Sequence, residues 1–240
     1  MFKRRHHQLI ERLLRAFDAQ ILADAECFFG GGTAIVLMLD EYRESADVDF
    51  LCASQDGYRK LRNMVSLESL GPLLKEPIRH LREVRTDQYG IRTFLSIDDV
   101  PIKIEIVREA RIDLQGINDS AFPIPYLSRE DMFAEKLLAN TDRALDRAVL
   151  SRDIIDIAMM ARYWGDIPRA AFDKAYGAYG NAVVTMFEGA IKMIGDRRYF
   201  EKCLRDMSID GDLTEEIVRT LVNQLNLITG QSRLSTSETG

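Results

Sequence analysis

The apolar residues of this chain change their spacing along its length, and the changes divide it. Leu9, Leu13, Leu14, Phe17, Ile21 and Leu22 recur three and four apart, which predicts an amphipathic helix over 3–25. Cys27-Phe28-Phe29 then predicts a short strand. A helix follows three glycines and runs from Ala34 to about Asp40, and Val48 to Cys52 reads as a buried strand. Residues 55–67 predict a further helix with Tyr58, Leu61 and Val65 on one face, and 68–77, broken by Gly71, Pro72 and Pro77, predict a loop. Over 82–108 the period falls to two. Strands are expected at 82–87, 91–97 and 100–107, with Asp98-Asp99 turning the last pair into a hairpin. Pro123 and Pro125 mark a boundary, and from Leu127 the pattern is helical. Ser128 opens a helix with Met132, Phe133, Leu137 and Leu138 as its stripe, and 182–194 and 213–227 are further helices. The expected organisation is α/β (α+β), a mixed sheet with flanking helices over 1–122. A helical domain follows over 123–230, then a polar, unstructured tail over 231–240.

Composition narrows the class. The chain has 240 residues and a net charge of −6, with a pI near 5.3. That argues against a surface coated in positive charge for nucleic acid, leaving room for local patches such as Lys3, Arg4, Arg5, Arg12 and Arg15, or Arg79, Arg82 and Arg85. No apolar run approaches the roughly 20 residues a membrane span needs, and the basic amino end lacks the apolar core of a secretory signal. Cys27, Cys52 and Cys203 are odd in number and scattered, as expected in a reducing cytoplasm. No Cys/His spacing suits zinc; His6 and His7 are expected at a mobile end, and His80 stands alone.

The candidate chemistry lies between Phe28 and Leu51. Gly30, Gly31 and Gly32 let the backbone turn sharply and bring N–H groups near an anion, and the helix that follows adds the positive end of its dipole. Asp47 and Asp49, two apart in a strand, point to one face and can share Mg²⁺, with Mn²⁺ as the alternative ion. A strand does not favour Asp, so two carboxylates there need a reason. Elsewhere the residues alone are bland. Glu105 alternates with Ile102, Ile104 and Ile106 as any solvent-facing residue would, Lys136 reads as solvated, and Asp153 and Asp156 as an exposed helix face.

Gly31-Gly32-Thr33 followed by Arg43-x-Ser45-x-Asp47-Val48-Asp49-Phe50 resembles the signature of the AbiEii-type nucleotidyltransferases, within the DNA polymerase beta-like superfamily. Lys103-x-Glu105 matches the third motif. Glu135-Lys136-Leu137 with Arg152-Asp153-x-x-Asp156 matches the fourth. The likeness covers about two thirds of the chain, roughly residues 26 to 160, and implies a substrate cleft between the two domains. It implies attack on the α-phosphate of a nucleoside triphosphate, with release of pyrophosphate. Asp47, Asp49 and Glu105 would hold the metal. Gly31, Gly32 and Thr33 would hold phosphates, Ser45 would add a hydroxyl, and Arg43 and Lys136 would add charge. Asp153 or Asp156 would orient Lys136 or the acceptor. Three clustered carboxylates would repel one another, so Glu105→Gln is expected to leave the protein no less stable. Many relatives are toxins of toxin–antitoxin pairs, which makes tRNA the first acceptor to consider and an antitoxin protein the expected partner. A small-molecule nucleotidyltransferase, and a non-catalytic binding module on the same fold, are the rival readings.

Overall fold

The computed structural model describes residues 2–237, with backbone alone over 231–237. It divides into two compact units. One takes in the chain up to Glu41 together with Ser45–Ser128, and the other takes in Tyr42–Glu44 and the chain from Arg129 onward.

The first unit opens with α1 (Arg5–Ala16) and α2 (Ala19–Asp24), where the apolar spacing predicts a single helix. The break has a local cause. Phe17 leaves the helix to bridge Leu74, and the Asp18 carboxylate caps α2 by accepting the Ile21 N–H. Then come β1 (Cys27–Gly30), α3 (Gly31–Met38), β2 (Val48–Cys52) and α4 (Gln55–Met64). The edge strand β3 (Arg85–Thr86) precedes the expected hairpin of β4 (Gly90–Ile97) and β5 (Val100–Arg108). Two short strands, β6 (Gly116–Ile117) and β7 (Tyr126–Leu127), complete a seven-stranded mixed sheet in the order β3-β4-β5-β2-β1-β7-β6.

β2 runs antiparallel to β1 and parallel to β5, and β7 runs parallel to β1. One face of the sheet is the core. Val48, Phe50, Ile91, Leu95, Ile102, Ile104 and Ile106 are buried there, and Leu9, Ile10, Leu13 and Leu14 of α1 are fully buried too. β6 and β7 are too short to show a period. Yet β7, with the Pro125 carbonyl accepting the Phe29 N–H, carries the first unit to Ser128, six residues past the expected end at 122.

The second unit is helical: α5 (Arg129–Arg143), α6 (Arg152–Trp164), α7 (Arg169–Tyr179), α8 (Ala182–Ile194), α9 (Arg197–Asp206) and α10 (Thr214–Ser237). α5 is its centre, packed against α6, α7 and α8. The ends follow local chemistry. Gly165 at φ +92° stops α6, and Asp196 caps α9 by accepting the Tyr199 N–H. α10 continues to Ser237, within the stretch 231–240 expected to be unstructured; 238–240 lie outside the described residues. Among the described residues no helix is long and apolar enough to cross a membrane.

Candidate active site

The glycine turn and the aspartate pair touch. α3 begins at Gly31, so the glycines form its first turn, whereas the sequence predicts a start at Ala34. Gly30, as the residue before it, has no side chain to cap the helix. Gly31 sits at φ +68°, where a side chain is strained, and a Cβ there would lie 2.5 Å from Oδ2 of Asp49. The Asp49 carboxylate therefore fills the space that only a glycine leaves. A turn that presents amides and a strand that presents a carboxylate meet at this one contact.

The parallel pairing of β2 with β5 extends this into a row. Asp49 stands opposite Glu105, and the antiparallel β4 sets Arg92 opposite Glu105 in turn. Partners in register share a face, which here is the one opposite the apolar core. Glu105 thus lies on the face of Asp49, and both its oxygens are engaged: Arg92 Nε at 2.6 Å and Lys103 Nζ at 2.7 Å. The expected repulsion among carboxylates is not what this arrangement produces. Burial acts to raise the Glu105 pKa, but Lys103 and Arg92 prevail and hold it below the ordinary value. Lys103 answers in kind. Burial acts to lower its pKa, and Glu105, Asp47 and Asp49 together raise it. The Lys103 ammonium group therefore binds Glu105 and lies near enough to Asp47 and Asp49 to feel their charge.

A chain of hydrogen bonds holds the loop that leads into β2. Thr33 Oγ1 donates to the Asp47 carbonyl at 2.5 Å, so the Ser45 hydroxyl, 2.8 Å away, donates to Thr33. The Ser45 N–H donates to His7 Nε2 at 3.3 Å. With Nε2 an acceptor, Nδ1 carries the proton and donates to Glu41 at 2.7 Å. Glu41 also accepts the Lys3 and Arg4 N–H groups at the open end of α1. His6 Nε2 lies 3.0 Å from the Ala46 carbonyl. The two histidines expected at a mobile end are therefore clamps on the loop that ends at Asp47, and His7 is fully buried. Burial lowers the His7 pKa against the opposing pull of Glu41. The signal was in the sequence, since His7 falls on the same helical stripe as Ile10 and Leu14.

The remaining expected residues form a network in the second unit. Lys136 is buried, 2.9 Å from Asp153 and 2.6 Å from Asp156. Arg43 closes a two-pronged bond on Asp156, at 2.7 and 2.9 Å, and gives its third nitrogen to the Glu44 carbonyl. Its fork is thus occupied by a carboxylate, where the sequence points it at phosphate. The Tyr42 hydroxyl donates to Asp156 as well, and Arg143 closes on Asp153 at 2.6 and 2.9 Å. Three cations face two carboxylates, an excess of one positive charge. Burial would raise both aspartate pKa values. Lys136 and Arg143 hold Asp153 far below the usual range, and Arg43 and Lys136 hold Asp156 low. The network includes Tyr42 and Arg143, which the sequence reading did not single out.

Asp49 lies in β2, but Asp47, expected in the same strand, is the loop residue just before it; both are hard oxygen donors that fit a hard divalent ion. Glu105 fits as a third ligand only if it gives up ion pairs to Arg92 and Lys103. Among the described residues no group of three His, Cys, Asp or Glu side chains stands arranged as a metal site.

A glycine turn opening a helix against an Asp-x-Asp strand, within this mixed sheet and ahead of a helical unit, defines the nucleotidyltransferase class of fold. The chain belongs to the AbiEii family: the model described as "Nucleotidyl transferase AbiEii toxin, Type IV TA system" matches residues 12–226. Among solved structures it is similar to JHP933 from Helicobacter pylori, at 15% identity and a TM-score of 0.53, covering 100% of this chain and 98% of that one. It is also similar to MenT4, a nucleotidyltransferase toxin from Mycobacterium tuberculosis, at 15% identity and a TM-score of 0.48, covering 94% and 95%. No curated protein matches the chain in sequence.

Proposed function

We propose that this member of the AbiEii nucleotidyltransferases transfers a nucleoside monophosphate from a nucleoside triphosphate to an RNA acceptor, tRNA before others, and that it acts as the toxin of a toxin–antitoxin pair. The observation that carries the reading is the contact between the glycine turn and Asp49. It places amides suited to phosphate beside a carboxylate suited to the ion that accompanies phosphate.

Each residue has a task in this scheme. The first-turn amides of α3 bind phosphate oxygens, and Thr33 and Ser45 fix the backbone that leads to Asp47. Asp47 and Asp49 would hold Mg²⁺, or Mn²⁺ in its place; such an ion offsets charge on the phosphates as the leaving pyrophosphate departs. Glu105, held by Lys103 and Arg92, keeps Lys103 beside the aspartates. Lys136 fits as a point charge for the triphosphate only if it gives up its ion pairs with Asp153 and Asp156. Asp153 and Asp156 orient it, and Arg43 braces Asp156.

The test is incubation with each nucleoside triphosphate, labelled at the α-phosphate, and separate pools of tRNA, protein and small molecules. Label should enter the tRNA pool in a Mg²⁺-dependent way and not with Asp47→Asn. Label entering only small molecules would replace the acceptor. No transfer to any pool would leave a binding module.

A further inference from the structure

The row that begins at the aspartates does not end at Glu105. Read across the register it runs Asp49, Glu105, Arg92, Arg85, from β2 to the edge strand β3. Strands lie about 4.8 Å apart, so Arg85 stands on the order of 14 Å from Asp49 along a continuous face. The neighbouring row sets Phe94 opposite Lys103, and the guanidinium of Arg82 lies over the Phe94 ring, 4.4 Å from its centroid. We infer that this outer face of β3 and β4 seats the acceptor, and that the acceptor presents a single-stranded nucleic-acid end. The inference rests on the transfer reaction proposed above.

Charge and chemistry both favour that occupant. The chain as a whole is acidic, yet this segment exposes the guanidinium groups of Arg82 and Arg85, with Glu83 between them. The nearby acids are largely committed. Glu105 is held by Arg92 and Lys103, and Asp87 is spent on Arg92 and on the Tyr89 and Gly90 amides. Glu83 is the other acid of this segment. Among the described residues Arg82 and Arg85 form no ion pair with a carboxylate, and both are exposed. A guanidinium laid on a phenyl ring offers a cationic plane on which an unpaired base can stack, while Arg85 is open to a backbone phosphate. A protein partner would require apolar anchors or a long free strand edge. Exposed Leu67, Leu81 and Tyr89 lie on the flanking segments, but β3, with two residues, offers no long free edge, and the exposed guanidinium groups and the Arg82–Phe94 stack favour nucleic acid.

The test uses the full chain and the double substitution Arg82→Ala/Arg85→Ala, which leaves every residue assigned to the reaction in place. Transfer to a short single-stranded oligoribonucleotide and to tRNA is measured against salt, and binding of a labelled oligoribonucleotide is measured by anisotropy without nucleotide. The double variant should raise KM for the polynucleotide at least about tenfold, with KM for the triphosphate and kcat changed less than about twofold. The slope of log affinity against log salt should shrink by about 0.7 for each phosphate that the variant no longer neutralises. An unchanged polynucleotide KM and an unchanged binding slope would overturn the assignment. The two readings fail separately. If the wild-type chain transfers nothing but binds the oligoribonucleotide through Arg82 and Arg85, the surface stands and the reaction falls. If it transfers only to a small molecule and the double variant binds RNA as well as wild type, the surface falls and the reaction stands.

Discussion

At the scale of single residues, Glu105 gives the sharpest reversal. Its carboxylate joins two half-buried cations, so Glu105→Gln should lower stability by about 1 kcal/mol, the size expected of a partly exposed ion pair. Thermal unfolding of the metal-free protein checks this, and a variant as stable as wild type or more so would restore the repulsion picture. Asp47→Asn tests the other carboxylate. It keeps shape and removes charge, so turnover should fall about 10²–10³-fold while the unfolding temperature holds. His7 makes a pH prediction. Its folded pKa is lowered, so below about pH 6.5 the unfolded chain binds a proton the folded chain refuses, and stability rises with pH through that window. Protonation would also set an Nε2–H against the Ser45 N–H it now accepts. The gain in unfolding temperature between about pH 5.5 and 7.5 should therefore be smaller in His7→Gln than in wild type.

At the scale of elements, the α3 turn and β2 stand or fall together. Gly31→Ala strains a left-handed backbone and pushes a methyl group into Asp49, at a cost of about 1–3 kcal/mol. Triphosphate binding and metal binding should weaken together, which parallel titrations of the two would show. Weakening of one alone would mean that the turn and the strand are not coupled. This element was the most legible part of the sequence, because glycines and strand aspartates are read from local chemistry. β2, β5 and the hairpin were legible for a similar reason: their apolar alternation is strong. What sequence could not show was partnership. Nothing local to Glu105 says that Asp49 lies across from it, since that depends on the pairing of two strands remote in sequence, whereas the two-residue turn at Asp98-Asp99 does set Arg92 opposite Glu105. Likewise Arg43 reads as a phosphate ligand until the fold brings Asp156 to its fork from 113 residues away. Helices α1 and α2 read as one because Leu74, whose bridge to Phe17 parts them, is also remote.

At the scale of the whole molecule, acid should act in two stages. Below the shallow His7 window, Asp153 and Asp156 set a steeper one. Their folded pKa values are depressed, so their stabilisation is present above about pH 4 and is lost as pH falls toward those values. Unfolding temperature followed from pH 7 to 2 should show both limbs, and Asp156→Asn should flatten the lower one while costing about 3–5 kcal/mol at neutral pH, since Arg43 and Lys136 lose a buried counter-charge. A single smooth decline would mean the network does not dominate acid unfolding. The pairing of β1 with β7 has a consequence of another kind, in time. Phe29 must wait for Tyr126, 97 residues further on, before that edge of its strand is closed. At roughly 5–20 residues per second of synthesis, the edge of Cys27-Phe28-Phe29 stays bare for about 5–20 seconds after it is made. A bare apolar edge is a template for the wrong neighbour. A ribosome stalled anywhere before Tyr126 therefore leaves a nascent chain whose most apolar strand is open on that side, and the soluble yield depends on what guards that edge until the partner strand arrives.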